Sequence, residues 1–264
     1  MPPTALQPAD GVPPPSERVL ALHLPLDRYI PSVDEIYTVE AATDRLVRRC
    51  MAERGLSWPL VGHPVFGDWR NRRRYGVIET LVAHHYGFHA VPALLGPVQV
   101  YNDKVRRTNA LTYRQRSALT DPKTGCEPMA YAQLRRGISQ PDYSLANHLG
   151  GQSLYAAEKQ PDVRVALDQW SHCMLAAGYH YADPLAASAD ERWSKSDKAT
   201  PLEVTTAETA VRCDDQVNLV TTWSDADATI QRGMITQNAD YFAAMATSKS
   251  ELLSAATKVI NAAP

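Results

Sequence analysis

Histidine, cysteine and carboxylate side chains come first, because general-base, nucleophilic and metal chemistry require them. His84, His85 and His89 form the tightest histidine cluster. On an unbroken helix His85 and His89 would share a face at i and i+4, a spacing that zinc ligands use. Gly87 stands between them and predicts a helix end instead, where a histidine favours the negative pole of the helix dipole. Neither a metal nor a cofactor is expected. Asp168, His172 and Cys173 superficially offer an orienting carboxylate, a base and a nucleophile. Adjacent helical residues point about 100° apart, however, so His172 is badly placed to activate Cys173. Phosphate-binding glycine loops and the Gly-x-Ser-x-Gly elbow are absent from the sequence. Among 29 acidic residues, spacing alone singles out no pair for glycoside hydrolysis.

The cysteines say more. Cys50, Cys126, Cys173 and Cys213 are at least 40 residues apart, which is not zinc-site spacing. An even, dispersed set suits disulfides in an oxidising compartment, with free buried thiols or a reactive site as alternatives. Of the three possible pairings, Cys50 with Cys126 and Cys173 with Cys213 is the expected one, giving one bridge to each half of the chain.

The elements that carry the cysteines follow from period and punctuation. Leu167, Trp170, Cys173 and Met174 form one apolar stripe, and Gly178 sits where a left-handed helix end is wanted. Thr200-Pro201-Leu202-Glu203 reads as N-cap, proline at the first position and glutamate at the third. Ser32-Val-Asp-Glu35 opens another helix to about Arg54, with Val39, Ala42, Leu46, Val47 and Cys50 on one face. The order of Cys50, Met51, Gly55, Trp58 and Pro59 returns in Cys173, Met174, Gly178, Tyr181 and Pro184, as a duplicated structural unit would.

Ile78, Leu81, Val82 and His85 are helix-spaced, residues 91–114 carry little periodic signal, and a short helix is expected over about 127–136. Gly150-Gly151, with Gln140-Pro141 nearby, reads as a flexible join. Between Pro201 and Pro264 there is no proline and a single glycine, Gly233, which predicts one or two long helices. The expected fold is mainly α, an irregular helical protein with two disulfide-linked helical halves and long C-terminal helices. Residues 1–30 are expected to be a Pro-rich flexible tether, 31–149 the N-terminal half and 150–264 the C-terminal half.

A net charge of −2 recommends neither nucleic acid nor an anionic membrane as partner. Against it stands a local basic run, Arg70 and Arg72 to Arg74, amid Trp58, Phe66, Trp69, Tyr75, Tyr86 and Phe88. Aromatic and arginine side chains dominate binding hot spots, so Trp58, Trp69, Arg72, Arg73 and Tyr86 are the candidate partner-binding residues. A loop packed on the helices would use the same composition. No apolar run approaches 18 residues, and the N-terminus has no basic and apolar signal pattern. It reads as the tether that follows a cleaved export signal or lipid anchor, with Met1 added.

These residues carry a resemblance. Cys50-Met-x-x-x-Gly55, Tyr75-Gly76, Ala83-x-x-Tyr86-Gly87-Phe88-His89, Gly125-Cys126, Trp170-x-x-Cys173-Met-x-x-x-Gly178-Tyr-x-Tyr181 and Glu208-x-Ala210-Val211-x-Cys213 are similar to a group of secreted or lipid-anchored actinobacterial proteins of unknown function. The likeness spans about residues 32–245 and rests on structural motifs. It implies an exported helical protein with paired cysteines and no defined activity, with an accessory role beside envelope transporters. The group's export signal and lipidation cysteine are not in this sequence. The expected function is therefore an extracytoplasmic, non-catalytic binding or accessory protein of the cell envelope, engaging a protein, peptide or glycan. A secreted enzyme using the His84–His89 region, either an envelope-polymer hydrolase or a tailoring enzyme, is the alternative, and an exported effector a third.

Overall fold

The computed structural model describes residues 13–62, 68–91 and 98–262, and every regular element among them is helical. In chain order these are α1 (Glu17–Ala21), a 3-10 turn (Pro25–Arg28), α2 (Val33–Glu53), α3 (Thr80–Tyr86), α4 (Val98–Asn109), α5 (Tyr113–Thr120), α6 (Cys126–Leu134), α7 (Ser144–Glu158), α8 (Pro161–Ala176), α9 (Pro184–Ser188), a second 3-10 turn (Trp193–Lys195), α10 (Pro201–Val217), α11 (Leu219–Gln237) and α12 (Ala239–Asn261).

Helix α2 starts with the reciprocal cap its sequence announces. Glu35 N–H donates to Ser32 Oγ at 3.2 Å and Ser32 N–H to Glu35 Oε2 at 2.7 Å, satisfying two otherwise orphaned donors. It ends at Gly55, at φ +68°, with Leu56 N–H donating to Met51 O at 2.9 Å. Helix α8 ends identically: Gly178 lies at φ +89° and Tyr179 N–H donates to Met174 O at 2.9 Å. Both are Schellman endings, in which a left-handed residue turns the chain and the next N–H closes back on the last turn. In each the methionine is fully buried and the preceding cysteine carries a bridge. The repeated sequence motif is thus a repeated helix ending. Cys50–Cys126 joins α2 to α6 with Cα atoms 5.6 Å apart, and Cys173–Cys213 joins α8 to α10 at 5.7 Å, both ordinary disulfide separations.

Packing crosses the join expected near residue 150. One core gathers Val19, Tyr75, Val82 and Phe88 with Trp170, Met174, Ala210 and Trp223. A second sets Leu46, Met51 and Trp58 against Leu119, Leu134 and Ala256 of α12, and a third joins Leu26 and Tyr29 to Leu149, Phe242 and Met245. Each core draws on both sides of residue 150. Gly150 and Gly151 lie inside α7, where helix–helix packing outweighs the roughly 1 kcal/mol each glycine costs a helix. Residues 17–29 are no tether either, because Val19, Leu24, Leu26 and Tyr29 are all buried; residues 1–12 lie outside the described residues.

After Pro201 the chain makes three helices rather than one or two. Asn218, at φ +55°, turns the chain between α10 and α11 in the left-handed region that asparagine visits more readily than most residues. Asp214 Oδ1 then accepts the Val220 N–H at 2.9 Å and satisfies the new helix start. Asn238 makes the second break, before α12. Neither break carries proline or glycine.

Candidate functional site

The basic run of residues 70–74 is an internal connector. Arg70 pairs with Asp68 at 2.9 Å and donates to Ile30 O at 3.1 Å. Arg72, 2% exposed, holds Glu79 through Nε at 2.5 Å and Pro13 O through Nη2 at 3.0 Å, while Glu79 Oε1 also accepts Ser16 N–H at 2.7 Å. That pair fastens the N-terminal arm to the 70–79 turn. Arg73 donates to Phe88 O at 2.7 Å. Burial first, then the neighbouring Arg72 charge, lowers its pKa against the pull of Glu79 and Glu203. Arg74 reaches furthest, to Asp227 Oδ2 at 2.7 Å and Gly150 O at 2.6 Å.

Asp227 is the hub of a buried polar network. Tyr75 Oη donates to its Oδ2 at 2.8 Å and Gln231 Nε2 to its Oδ1 at 2.9 Å. Gln231 in turn contacts Ser153 Oγ at 3.1 Å and accepts Leu26 N–H at 3.0 Å. Burial, then the Asp227 charge, drives the Tyr75 phenol far above its ordinary range. A satisfied network of this kind fixes one arrangement of α7, α11 and the 3-10 turn.

The candidate partner surface built on this segment is therefore corrected. Arg72 and Trp58 are interior, at 2% and 6% exposure, and Arg73 is tied to the backbone. Trp69 and Tyr86 are half-buried against the first core, and Phe66 lies outside the described residues. Trp58 Nε1 donates to Asp44 Oδ1 at 3.3 Å while the Arg107 guanidinium sits 4.0 Å from its ring centroid. Nearby acceptors hold these side chains inward, Glu79 for Arg72, Phe88 O for Arg73 and Asp44 for Trp58, while Asp227, more than 150 residues away, holds the adjoining Arg74 and Tyr75.

The histidines divide as Gly87 predicts. Helix α3 stops at Tyr86, and Gly87 adopts φ +53°, the close turn that lets two successive N–H groups face Glu203. Glu203 Oε1, fully buried, accepts Phe88 N–H at 2.8 Å and His89 N–H at 3.2 Å and lies 2.7 Å from His89 Nδ1. His89 Nε2 lies 2.8 Å from Ser196 O. Only the doubly protonated ring donates to both, so the Ser196 carbonyl first and the Glu203 carboxylate second raise the His89 pKa. His89 is a clamp between α10 and the 196 loop, with no ring nitrogen left to accept a substrate proton. Glu203 supplies only part of the expected helix start: Thr200 Oγ1 caps its N–H at 3.2 Å, but its carboxylate faces the 87–89 turn. His84 pairs with Glu208 at 2.8 Å, and His85 is exposed. Among the described residues no three His, Cys, Asp or Glu side chains converge on a metal-sized site.

What the segment 58–89 does not present, α4 and α5 do. Between residues 98 and 125 six lysines and arginines face two aspartates. Helix α4 docks on α2 through charge: Lys104 pairs with Glu40 above the Tyr37 ring, and Arg107 pairs with Asp44 at 2.7 Å. Val100 on the same helix is buried, at 4% exposure, while Tyr101 and Val105 point outward, at 68% and 37%. Tyr113, at the start of α5, is 89% exposed, beside exposed Arg114, Arg116 and Lys123. Tyr113 and Arg114 border an open concavity of about 370 Å³ whose floor includes Arg54. Its one acid, Asp121, is already bound by the N–H and hydroxyl of Thr124 and the N–H of Lys123, which hold its pKa below the usual carboxylate value.

The sequence does signal α5: Thr112-Tyr-Arg-Gln115 is a capping box, with Gln115 N–H donating to Thr112 Oγ1 at 3.3 Å and Thr112 N–H to Gln115 Oε1 at 3.0 Å. Helix α4 has no such signal: its inner side combines buried Val100 with ion pairs from Lys104 and Arg107 and carries no apolar stripe. Comparison with protein-family models, with curated proteins and with solved structures finds no match.

Proposed function

We propose that the protein is an extracytoplasmic, non-catalytic binding or accessory protein of the cell envelope, which engages an acidic protein or peptide segment through the outer face of α4 and α5. The observation that carries this reading is the exposure of Tyr113 beside Arg114, Arg116 and Lys123, with exposed Tyr101 on the preceding helix. Exposed tyrosine is a rigid amphipathic anchor and arginine a multidentate donor, the pair that concentrates binding energy at protein interfaces. Two disulfides suit an oxidising compartment, and no helix among the described residues is long and apolar enough to cross a membrane. Delivery by an export signal or lipid anchor completes the proposal.

The test is fluorescence anisotropy with a labelled oligoglutamate peptide containing one tyrosine. Wild type binds it, and binding weakens as salt rises. Tyr113→Ala with Arg114→Ala weakens it at least about tenfold, the size of a modest hot spot, with an unchanged circular dichroism spectrum. Equal binding by the double variant would sink the reading. For the compartment, non-reducing mass mapping of protein recovered from fractionated cells should find both bridges in the extracytoplasmic fraction. Reduced protein in the cytosol would contradict it.

A further inference from the structure

On the side of α2 away from α4 lies a cavity of about 90 Å³, walled by α2, the segment after α6 and α12. Its lining is mainly apolar, from Val39, Ile138, Leu252 and Leu253. Lys249 and Glu35 also border it, but they neutralise each other at 2.8 Å. Lys249 Nζ further donates to Arg28 O at 3.0 Å and Ile30 O at 3.4 Å, and Glu35 completes the α2 cap, so neither charge is available to a ligand.

Arg135 is different. It lines the same cavity and forms no ion pair among the described residues; its Nη1 is packed away from solvent, so the rest of the side chain is what a ligand can meet. Its other contact is the Tyr131 ring, 5.1 Å from the guanidinium carbon. A guanidinium with no carboxylate partner leaves its charge uncompensated, and the acceptor that suits it best is a carboxylate, which takes paired N–H donors in one plane. Tyr143 and Ser248 add hydroxyls to the wall, and Arg135 lies within electrostatic range of the Tyr143 phenol. One uncompensated cation at an apolar-walled cavity is complementary to a monoanion with an apolar tail.

We propose that this cavity binds a small monocarboxylate with a short apolar tail, Arg135 receiving the carboxylate and Val39, Ile138, Leu252 and Leu253 the tail. The backbone fixes the site in advance. Helix α6 is bolted to α2 by Cys50–Cys126 at its start, and Arg135 is the residue that caps its end. The site is separate from the outer face of α4 and α5, and its ligand does not depend on the partner proposed there.

Isothermal titration calorimetry of the full chain with hexanoate, and with hexanol as the uncharged probe of the same length, tests the proposal. Hexanoate should bind with one-to-one stoichiometry and raise the melting temperature in proportion to its concentration, and hexanol should bind at least tenfold more weakly. Arg135→Gln should lose hexanoate binding at least tenfold, whereas Arg136→Gln, the exposed neighbour, should retain it. Absence of hexanoate binding, equal affinity for hexanol, or undiminished binding by Arg135→Gln would each overturn the proposal. If Arg135→Gln fails to fold, Leu252→Phe, which fills the apolar end while leaving the arginine in place, should abolish hexanoate binding, and retention would count against the site.

Discussion

The chain has two arginine-rich regions, and they behave oppositely. Arg70, Arg72, Arg73 and Arg74 each reach an acceptor inside the molecule, and two of those acceptors, Glu79 and Asp227, are buried carboxylates. Arg106, Arg114 and Arg116 stand on helices at the surface next to two exposed tyrosines. The composition of the two regions is alike. The difference lies in how deep their acids are: Glu79 and Asp227, which hold Arg72 and Arg74, are buried, and the fold brings Asp227 in from 153 residues away, whereas the acids within α4 and α5 and the turn after them, Asp103 and Asp121, are partly exposed. Arginine density alone therefore identifies a scaffold as readily as an interface, and the burial of the partner carboxylate decides which.

Both regions rest on a covalent frame, and cutting it is the severest way to break the comparison. The bridges close separations of 76 and 40 residues, for which the chain-entropy account gives about 4 kcal/mol each. Cys173→Ala with Cys213→Ala should lower the denaturant midpoint of the whole chain. Cys50→Ala with Cys126→Ala should in addition speed amide exchange in α5 and α6 specifically. Exchange that is uniform in both variants would show that the bridges do not act regionally.

Next in size is Asp227→Ala. It strands the Arg74 guanidinium, the Tyr75 hydroxyl and the Gln231 amide in the interior, at a cost of about 3 kcal/mol. Urea denaturation measures it, and a loss under 1 kcal/mol would mean that the 70–74 run is not the connector described.

The pH dependence of His89 is smaller. Its pKa is raised above the ordinary 6.5 by donation to Ser196 O and Glu203, so the stabilisation is fully present below pH about 6.5 and is lost as pH climbs through the raised value. His89→Gln should flatten that fall in a series of melting curves from pH 5 to 9. A stability that rises over the same interval would contradict the clamp.

The smallest effect falls on α4. Its more exposed ion pair to α2, Lys104 with Glu40, is worth about 1 kcal/mol or less and is screened by salt. Raising sodium chloride from 0.1 to 1 M, about a threefold fall in Debye length, should speed amide exchange across residues 98–109 while α7 and α11 hold. Equal protection at both salts would argue that apolar contacts hold α4.

Local chemistry was legible in the sequence and long-range chemistry was not. The Ser32 and Thr200 caps, the left-handed Gly55, Gly87 and Gly178, and the pairing of four cysteines all depend on residues near one another or on a small set of combinations. The breaks at Asn218 and Asn238 were hidden because they involve neither proline nor glycine. Helix α4 was hidden because its inner face sets buried Val100 among charged residues, and periodicity searches look for apolar stripes. Leu81 misled in the reverse sense: it is helix-spaced yet 57% exposed, because α3 buries Val82 and Ala83 instead. Arg74 and Glu203 could not be placed from sequence, since their partners lie more than a hundred residues away in the chain.

One paired measurement separates scaffold from interface most directly. Arg72→Ala and Arg114→Ala are each assayed for urea midpoint and for affinity toward the oligoglutamate peptide. Arg72→Ala should lose about 3 kcal/mol by stranding buried Glu79, while the fraction that remains folded keeps its affinity. Arg114→Ala should stay within about 0.5 kcal/mol of wild type, as exposed substitutions do, and lose affinity. The reverse assignment, with Arg114→Ala unfolding the chain or Arg72→Ala abolishing binding at full stability, would contradict the account.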